Sequence, residues 1–432
     1  MRIDRIQFEN FNCFAKREFR LAPRFNLVIG DNAAGKTTVL DGLAVGLGGL
    51  FLGFPAPAAA RSIHRDEVRL QFYLHGETVT AEPQFPAAIH CEGEVAGHTG
   101  EWRRALTSFD GRTTRRAANW VRAAGNRLRH RIKAGQSAIL PLVSYYGTGR
   151  LWVQLRQREV ETLGPHSRFA GYLDCLNPAS DEKRLVAWFK TQEIAAIQRK
   201  RPSATLEACR GAVLACVPEA KHVFFDVARD ELMLRFAEQE LPFSYLSDGF
   251  RNMLAIAADI AVRCATLNPA LEADAARGTP GVVLVDEIDL HLHPKWQRRV
   301  VGDLLRAFPN VQFVATTHSP FVIQSLPSTA GVQLLNLDDP GATGFVNKSV
   351  EDITEEVQGI ELPQRSRRYQ DMLQTAKKYF ALLEDANNAT PAEKEQLKRR
   401  LDELILPFSD DPAYQAFLEM QRTAYGFNGE GR

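Results

Sequence analysis

The chain has 432 residues, of which 45% are hydrophobic, 24% charged and 9% aromatic. That composition excludes wholesale disorder, fibrous repeats and small cross-linked scaffolds, and leaves room for two or three folding units. With 53 Lys plus Arg against 52 Asp plus Glu, the formal charge is +1, so the molecule is no polycation built to coat nucleic acid and any such contact has to be local.

At the start, Arg2 to Phe8 alternates apolar and polar residues as a strand does. Phe11 to Phe19 can pair with it, and Phe25 to Ile29 is a short apolar run ending at Gly30. Met1 to Asn10 lacks the basic-then-apolar order of a secretory leader. Directly after the third run comes Gly30-Asp31-Asn32-Ala33-Ala34-Gly35-Lys36-Thr37, which fits GxxxxGK[ST], followed by a helix from about Lys36. Such a loop curls its backbone N–H groups towards phosphates, with the positive end of the helix behind them. Lys36 would reach the β and γ phosphates, and the Thr37 hydroxyl would bind Mg²⁺. Gly42 to Ala60 is uncharged, yet it carries five glycines plus Pro55 and Pro57, so it reads as buried packing and not as a membrane span.

Short strand-like stretches at Val68 to Leu74, Val79 to Glu82 and Ile89 to Val95 suggest an antiparallel lobe. Arg112 to Lys133 then holds eight basic and no acidic residues, with Trp120 among them. Two readings stand: a helical face that tracks a nucleic-acid backbone, with Trp120 for stacking, or a solvated face balanced by acids elsewhere. The apolar run Ala138 to Ser144 leads to a mainly helical region from Ser167 to about Cys216, then a hairpin from Val223 to Val227 and Leu232 to Phe236. Leu246-Ser247-Asp248-Gly249-Phe250-Arg251 opens a strong helix to Leu267. Its free end with a small hydroxyl and a glycine can receive a phosphate, though a plainly capped helix explains it equally well.

Val282 to Val285 is wholly apolar and Val311 to Ala315 apolar but for Gln312, strands of the kind buried in a parallel sheet, with a helix from Pro294 to Ala307 between them. Asp286 and Glu287 end the first, where ligands bind in such sheets. Asp286 is suited to hold Mg²⁺ through water, and Glu287 to orient and polarise an attacking water. Thr316-Thr317-His318-Ser319-Pro320 ends the second, where His318 could contact a γ phosphate. Past Phe345 the chain is charged and helical, roughly Pro363 to Asn388, Pro391 to Leu406 and Pro412 to Tyr425, a composition for docking. Six cysteines, at 13, 91, 175, 209, 216 and 264, include no CxxC pair, which points to reduced thiols and a cytoplasmic address.

The order of phosphate loop, serine-glycine helix start, Asp-Glu strand end and histidine strand end resembles the ABC-type ATPase heads of the SMC, RecF and RecN families. The resemblance implies an α/β, P-loop NTPase head with an antiparallel β lobe, a helical insertion and C-terminal helices. It implies Gly30 to Thr38 (Gly30, Asn32, Ala33, Ala34, Gly35, Lys36, Thr37 and Thr38) as Walker A and Leu246 to Arg251 as the signature, through Ser247 and Gly249. Asp286 and Glu287 become Walker B, Asp289 falls near the D-loop, and His318 is the switch histidine. ATP and Mg²⁺ are the implied ligands. The signature has Asp248 and Phe250 where transporters have Gly and Gln, and Asn12 stands where these heads often carry a basic residue.

LSDGFRNML, DEIDLHLHPKWQRR and TTHSP look, more narrowly, like the AAA-type ATPases of bacterial anti-phage operons, the PtuA-type proteins of Septu and retron systems. That likeness implies a homodimer or higher homo-oligomer closed head-to-head around ATP, controlling a nearby HNH, PtuB-like effector nuclease. The RecF likeness implies instead a DNA-repair ATPase without a toxic partner. The expected division is 1–110 as the lobe with Walker A, 111–222 as a basic helical insertion, 223–346 as the lobe with signature, Walker B and switch histidine, and 347–432 as a helical docking region.

Overall fold

The computed structural model describes residues 1–54, 60–75, 78–151, 167–178, 182–339, 348–360, 366–386, 396, 399–400, 402–404, 406–408 and 410–424. Two compact units divide the chain, Met1–Ile353 and Thr354–Arg432. In the first, the strands run β1 (Arg2–Phe11), β2 (Phe14–Arg20), β3 (Phe25–Ile29), β4 (Leu70–His75), β5 (Thr78–Pro83), β6 (Ala87–Val95) and β7 (His98–Leu106). They continue as β8 (Leu142–Tyr146), β9 (His222–Asp226), β10 (Glu231–Arg235), β11 (Glu240–Pro242), β12 (Gly281–Val285), β13 (Val311–Thr316) and β14 (Val332–Asn336). The main helices are α1 (Lys36–Leu47), α2 (Asn119–Lys133), α3 (Glu182–Arg199), α4 (Ala204–Cys216) and α5 (Asp248–Leu267).

Five strands form a wholly parallel sheet in the order β14-β3-β13-β12-β8. β3, β8, β12 and β13 are buried at every position, so they do not alternate apolar and polar residues as a half-exposed strand does. The one amide inside β3 is satisfied: Asn26 donates to the carbonyls of Ala22 and Phe313 and accepts from the Ala22 N–H and from Gln333. A four-stranded antiparallel sheet, β2-β1-β6-β7, is tied to it by Gln312 of β13, which accepts from the Ile3 N–H at 2.9 Å and donates to the Ile3 carbonyl at 2.8 Å.

Helix α1 packs on this second sheet at very short range. A Cβ on Gly42 would stand 2.2 Å from the Phe8 ring, and Trp102 of β7 donates to the Gly46 carbonyl at 2.9 Å. The uncharged run after the phosphate loop is therefore close packing as far as residue 54, and 55–59 lie outside the described residues. Among the described residues no helix is long and apolar enough to cross a membrane. β9, β10 and β11 form a small antiparallel sheet whose β9–β10 hairpin matches the expected one to within a residue, and β4–β5 form a separate hairpin.

Some boundaries differ from the sequence reading. The helix expected from Phe250 to Leu267 begins at Asp248, with Ser247 as its N-cap. The expected helix over Pro294 to Ala307 is two pieces, Pro294–Gln297 and Val300–Ala307. The break falls at Arg299 (φ −128°), whose guanidinium bonds Glu219 at 2.6 Å and Asp303 at 2.7 Å. The second unit contains helices Arg367–Ala386 and Pro412–Ala424, joined through Ala376, Tyr379, Leu383 and Leu418. Much of the expected Pro391 to Leu406 helix lies outside the described residues.

Candidate nucleotide-binding site

β3 delivers the chain to the loop, and α1 leaves it. Gly35 has φ +99°, and a Cβ there would lie 2.7 Å from both Cys13 Sγ and Phe14 Cζ, so conformation and space both demand glycine. Ala33 also has positive φ, at 69°. Lys36 folds back, donating to the carbonyls of Gly30 and Asp31, each at 2.8 Å. Burial lowers its pKa below the usual lysine value, while Asp338, Asp286, Glu287 and Asp31 oppose that shift. Asp338, just past β14, also accepts from the Asp31 N–H at 2.6 Å, anchoring the far side of the loop.

The ends of β12 and β13 supply the acids. Asp286 is 4% exposed and accepts from the Thr37 hydroxyl at 2.9 Å and from the Thr316 hydroxyl at 2.6 Å. Thr316 in turn accepts from the Glu287 N–H at 2.7 Å. Because β13 lies between β3 and β12, its terminal hydroxyl is where one side chain can bind to both halves of the Asp-Glu pair. Glu287 has φ +45°, an uncommon backbone state for a non-glycine residue, held here by that bond and by the Ile288 N–H donating to the Thr316 carbonyl at 2.9 Å. Next to it, Thr317 donates to Asp289 at 2.5 Å, and His318 stands exposed.

A cleft of about 780 Å³ gathers Asn32, Ala33, Gly35, Lys36, Thr37, Thr38, Glu287 and His318. Gly30 and Ala34 shape the loop without lining the cleft, and Asp286 reaches it through Thr37. A hydroxyl and a carboxylate converging at 2.9 Å are hard oxygen donors that fit a divalent cation. Among the described residues there is no group of three or more His, Cys, Asp or Glu that could hold a metal. An ion here would thus depend on Thr37, Asp286, water and the oxygens of a phosphate chain.

Residues that motif reading passed over also line the cleft or support it. Phe72 of the β4–β5 hairpin and Arg69 lie on its wall, Phe72 being 62% exposed. Asp41 lines it too, accepting from the Tyr145 hydroxyl at 3.3 Å and pairing with Arg61 at 3.0 Å. Burial raises its carboxyl pKa, against the pull of Arg61. An exposed aromatic in a two-stranded hairpin is a signal that sequence could have offered. The roles of Thr316 and Asp338 depend on strand order and carry no local signature.

Ser247 and Gly249 do not line this cleft. Ser247 is exposed and its side chain makes no cap bond, so the plainly capped helix is not what its hydroxyl serves. A Cβ on Gly249 would sit 2.0 Å from the His291 carbonyl oxygen, and Asn252 donates to the Leu290 carbonyl at 3.3 Å, so the helix start is locked to the loop that follows Glu287. Phe250, which departs from the transporter pattern, packs edge-on against Trp296 with centroids 4.8 Å apart. In the basic stretch, Trp120 stacks on Trp102 (5.7 Å, 15°) over Gly100, so of the two readings the free stacking platform is not what its ring serves.

Two family models match, one described as an AAA domain over residues 5–207, the other as an AAA domain, putative AbiEii toxin, Type IV TA system, over 230–324. The chain is 48% identical over 89 residues to the Retron Vc95 probable ATPase of Vibrio cholerae serotype O1 biovar El Tor, covering 21% of this chain and 17% of that one. It is 39% identical over 126 residues to the Retron Ec83 probable ATPase of Escherichia coli, covering 29% and 23%. It is 38% identical over 101 residues to the Septu protein PtuA of Bacillus mycoides (strain KBAB4), covering 23% and 13%. The chain thus matches less than a quarter of the length of each of these relatives.

Proposed function

We propose that this ABC-type ATPase head binds Mg²⁺-ATP in the cleft between the phosphate loop and the ends of β12 and β13, hydrolyses it, and serves as the regulatory subunit of an anti-phage defence system. The observation that carries the reading is the convergence of Lys36, Thr37, Glu287 and His318 on one cleft, with Thr37 bonded to a buried Asp286. The retron and Septu names of the relatives support the defence role.

In this reading the loop N–H groups cradle the phosphates, and Lys36 exchanges its two carbonyl partners for β and γ oxygens. Thr37 and Asp286 would hold Mg²⁺, which would neutralise charge on the transferred phosphoryl group. Glu287, aimed by its N–H bond to Thr316, accepts a proton from the attacking water, and His318 hydrogen-bonds the γ phosphate. The phosphate side opposite the loop receives the Ser247–Gly249 helix start of a second copy, since that tip does not line the cleft of its own chain. ATP then bridges two copies, and the nucleotide state sets how the second unit and a partner nuclease are presented.

Phosphate release by purified protein, with and without Mg²⁺, tests the activity. Turnover abolished by chelation and by Lys36→Ala supports the reading, and absence of turnover in the wild type contradicts it. Turnover that depends strongly on added DNA, with no co-purifying partner, would favour the DNA-repair alternative.

A further inference from the structure

A second cleft, of about 800 Å³, opens beside the 3₁₀ turn Arg65–Glu67 and the start of the basic stretch. Four arginines line it, Arg65, Arg104, Arg112 and Arg115, and Asp66 is the one carboxylate among its lining residues. Asp66 lines the nucleotide cleft as well, so the two are adjacent. Thr113 fixes the wall, accepting from the Ile63 N–H at 2.9 Å.

Arg104 is the unusual member. It is 1% exposed, on β7 opposite Ile89 of β6, and its Nε and Nη1 have no hydrogen-bond partner among the described residues. Nη2 makes one long bond, 3.4 Å, to the Arg61 carbonyl. Of the nearby carboxylates, Asp41 and Glu67 both pair with Arg61 and Asp110 lies 3.6 Å from Arg65, while among the described residues Asp66 makes no ion pair with Arg104. Burial, then repulsion from Arg115, lowers Arg104 to about 10, which still leaves it charged at neutral pH. A buried guanidinium with open donors and no counter-ion is disfavoured in a protein interior unless an anion reaches it. Its planar fork matches the oxygens of a phosphate.

We propose that this cleft is a second anion site, distinct from the nucleotide cleft, which takes a phosphate group on the open donors of Arg104 with Arg112 and Arg115 at its mouth. The phosphate can come from a free phosphate compound or from the end of a nucleic-acid strand. For the latter, α2, which follows Arg115 in the chain, exposes Arg122, Arg127, Arg131 and Lys133, four further cations for a strand backbone.

The test uses the full chain carrying Lys36→Ala, so that the phosphate loop contributes no binding. It is titrated with inorganic phosphate, with a 5′-phosphorylated single-stranded oligonucleotide and with the 5′-hydroxyl form of that oligonucleotide, by calorimetry and thermal melting. We expect phosphate to bind and to raise the melting temperature, and affinity to fall at least about tenfold both in Arg104→Gln and in the exposed double variant Arg112→Ser, Arg115→Ser, as loss of charge-assisted bonds predicts. A preference for the 5′-phosphorylated strand identifies a strand end as the source, and phosphate binding without that preference identifies the free anion. No binding of either phosphate probe, or binding unchanged in the exposed double variant, overturns the proposal. ATP binding by the wild type, measured separately, keeps a failure here distinct from a failure of the ATPase reading.

Discussion

In the proposed reaction, a single proton acceptor and a single backbone angle matter most. If Glu287 polarises the attacking water, Glu287→Gln keeps the shape and hydrogen bonds of the side chain but not its basicity. ATP affinity should then stay within about twofold while turnover drops by about 10²-fold or more, the range for a general base. Equal loss of both would contradict the role. Gly35→Ala should instead remove binding itself, because the loop cannot keep φ +99° or clear Cys13 and Phe14 with a methyl group present. An equilibrium titration with a fluorescent ATP analogue checks this, and normal affinity would show that the loop tolerates another path. Lys36 adds a pH dependence. Its pKa is lowered in the free protein, so it loses its proton, and with it the proposed hold on phosphate, at lower pH than an ordinary lysine. ATP affinity should fall as pH rises through that depressed pKa, and Lys36→Arg should shift the decline to higher pH.

The predicted roles of whole elements follow from which strand ends meet. The β4–β5 hairpin brings Phe72 to the cleft wall, where an aromatic face can stack on a base. Phe72→Ala should raise the KM for ATP several-fold with little change in kcat, and should blunt discrimination between ATP and inorganic triphosphate. An unchanged KM would assign the exposed hairpin to another task. What the sequence disclosed about these elements divides along physical lines. β3, β12 and β13 were legible because burial on both faces leaves a mostly apolar run, interrupted by Asn26 in β3 and Gln312 in β13, and the phosphate loop was legible because its chemistry is local. β8, with Ser144 and two tyrosines in five residues, and the half-buried β14 lack such a run, and their places beside β12 and β3 depend on pairing with segments far away in sequence. The same non-locality hid Thr316 as the link between Asp286 and Glu287, and Asp338 as the anchor of Asp31. Trp120 shows the opposite failure, since its residue type suggested a ligand platform while its actual neighbour, Trp102, lies on another strand.

For the whole molecule, the decisive fact is that the exposed Ser247 tip of α5 does not line the cleft that holds Lys36, Thr37 and Glu287. A site completed in trans, as proposed, would let one small ligand control the arrangement of two large copies and of whatever docks on them. The most direct measurement is complementation between two defective chains. Lys36→Ala removes the loop function of one copy, and Ser247→Arg blocks the helix tip of the other. Each variant alone should show no turnover above background. Mixed, they should recover phosphate release, because each mixed dimer contains one intact loop facing one intact tip. A mixture as inactive as its components, or a Ser247→Arg protein with full turnover alone, would contradict the account.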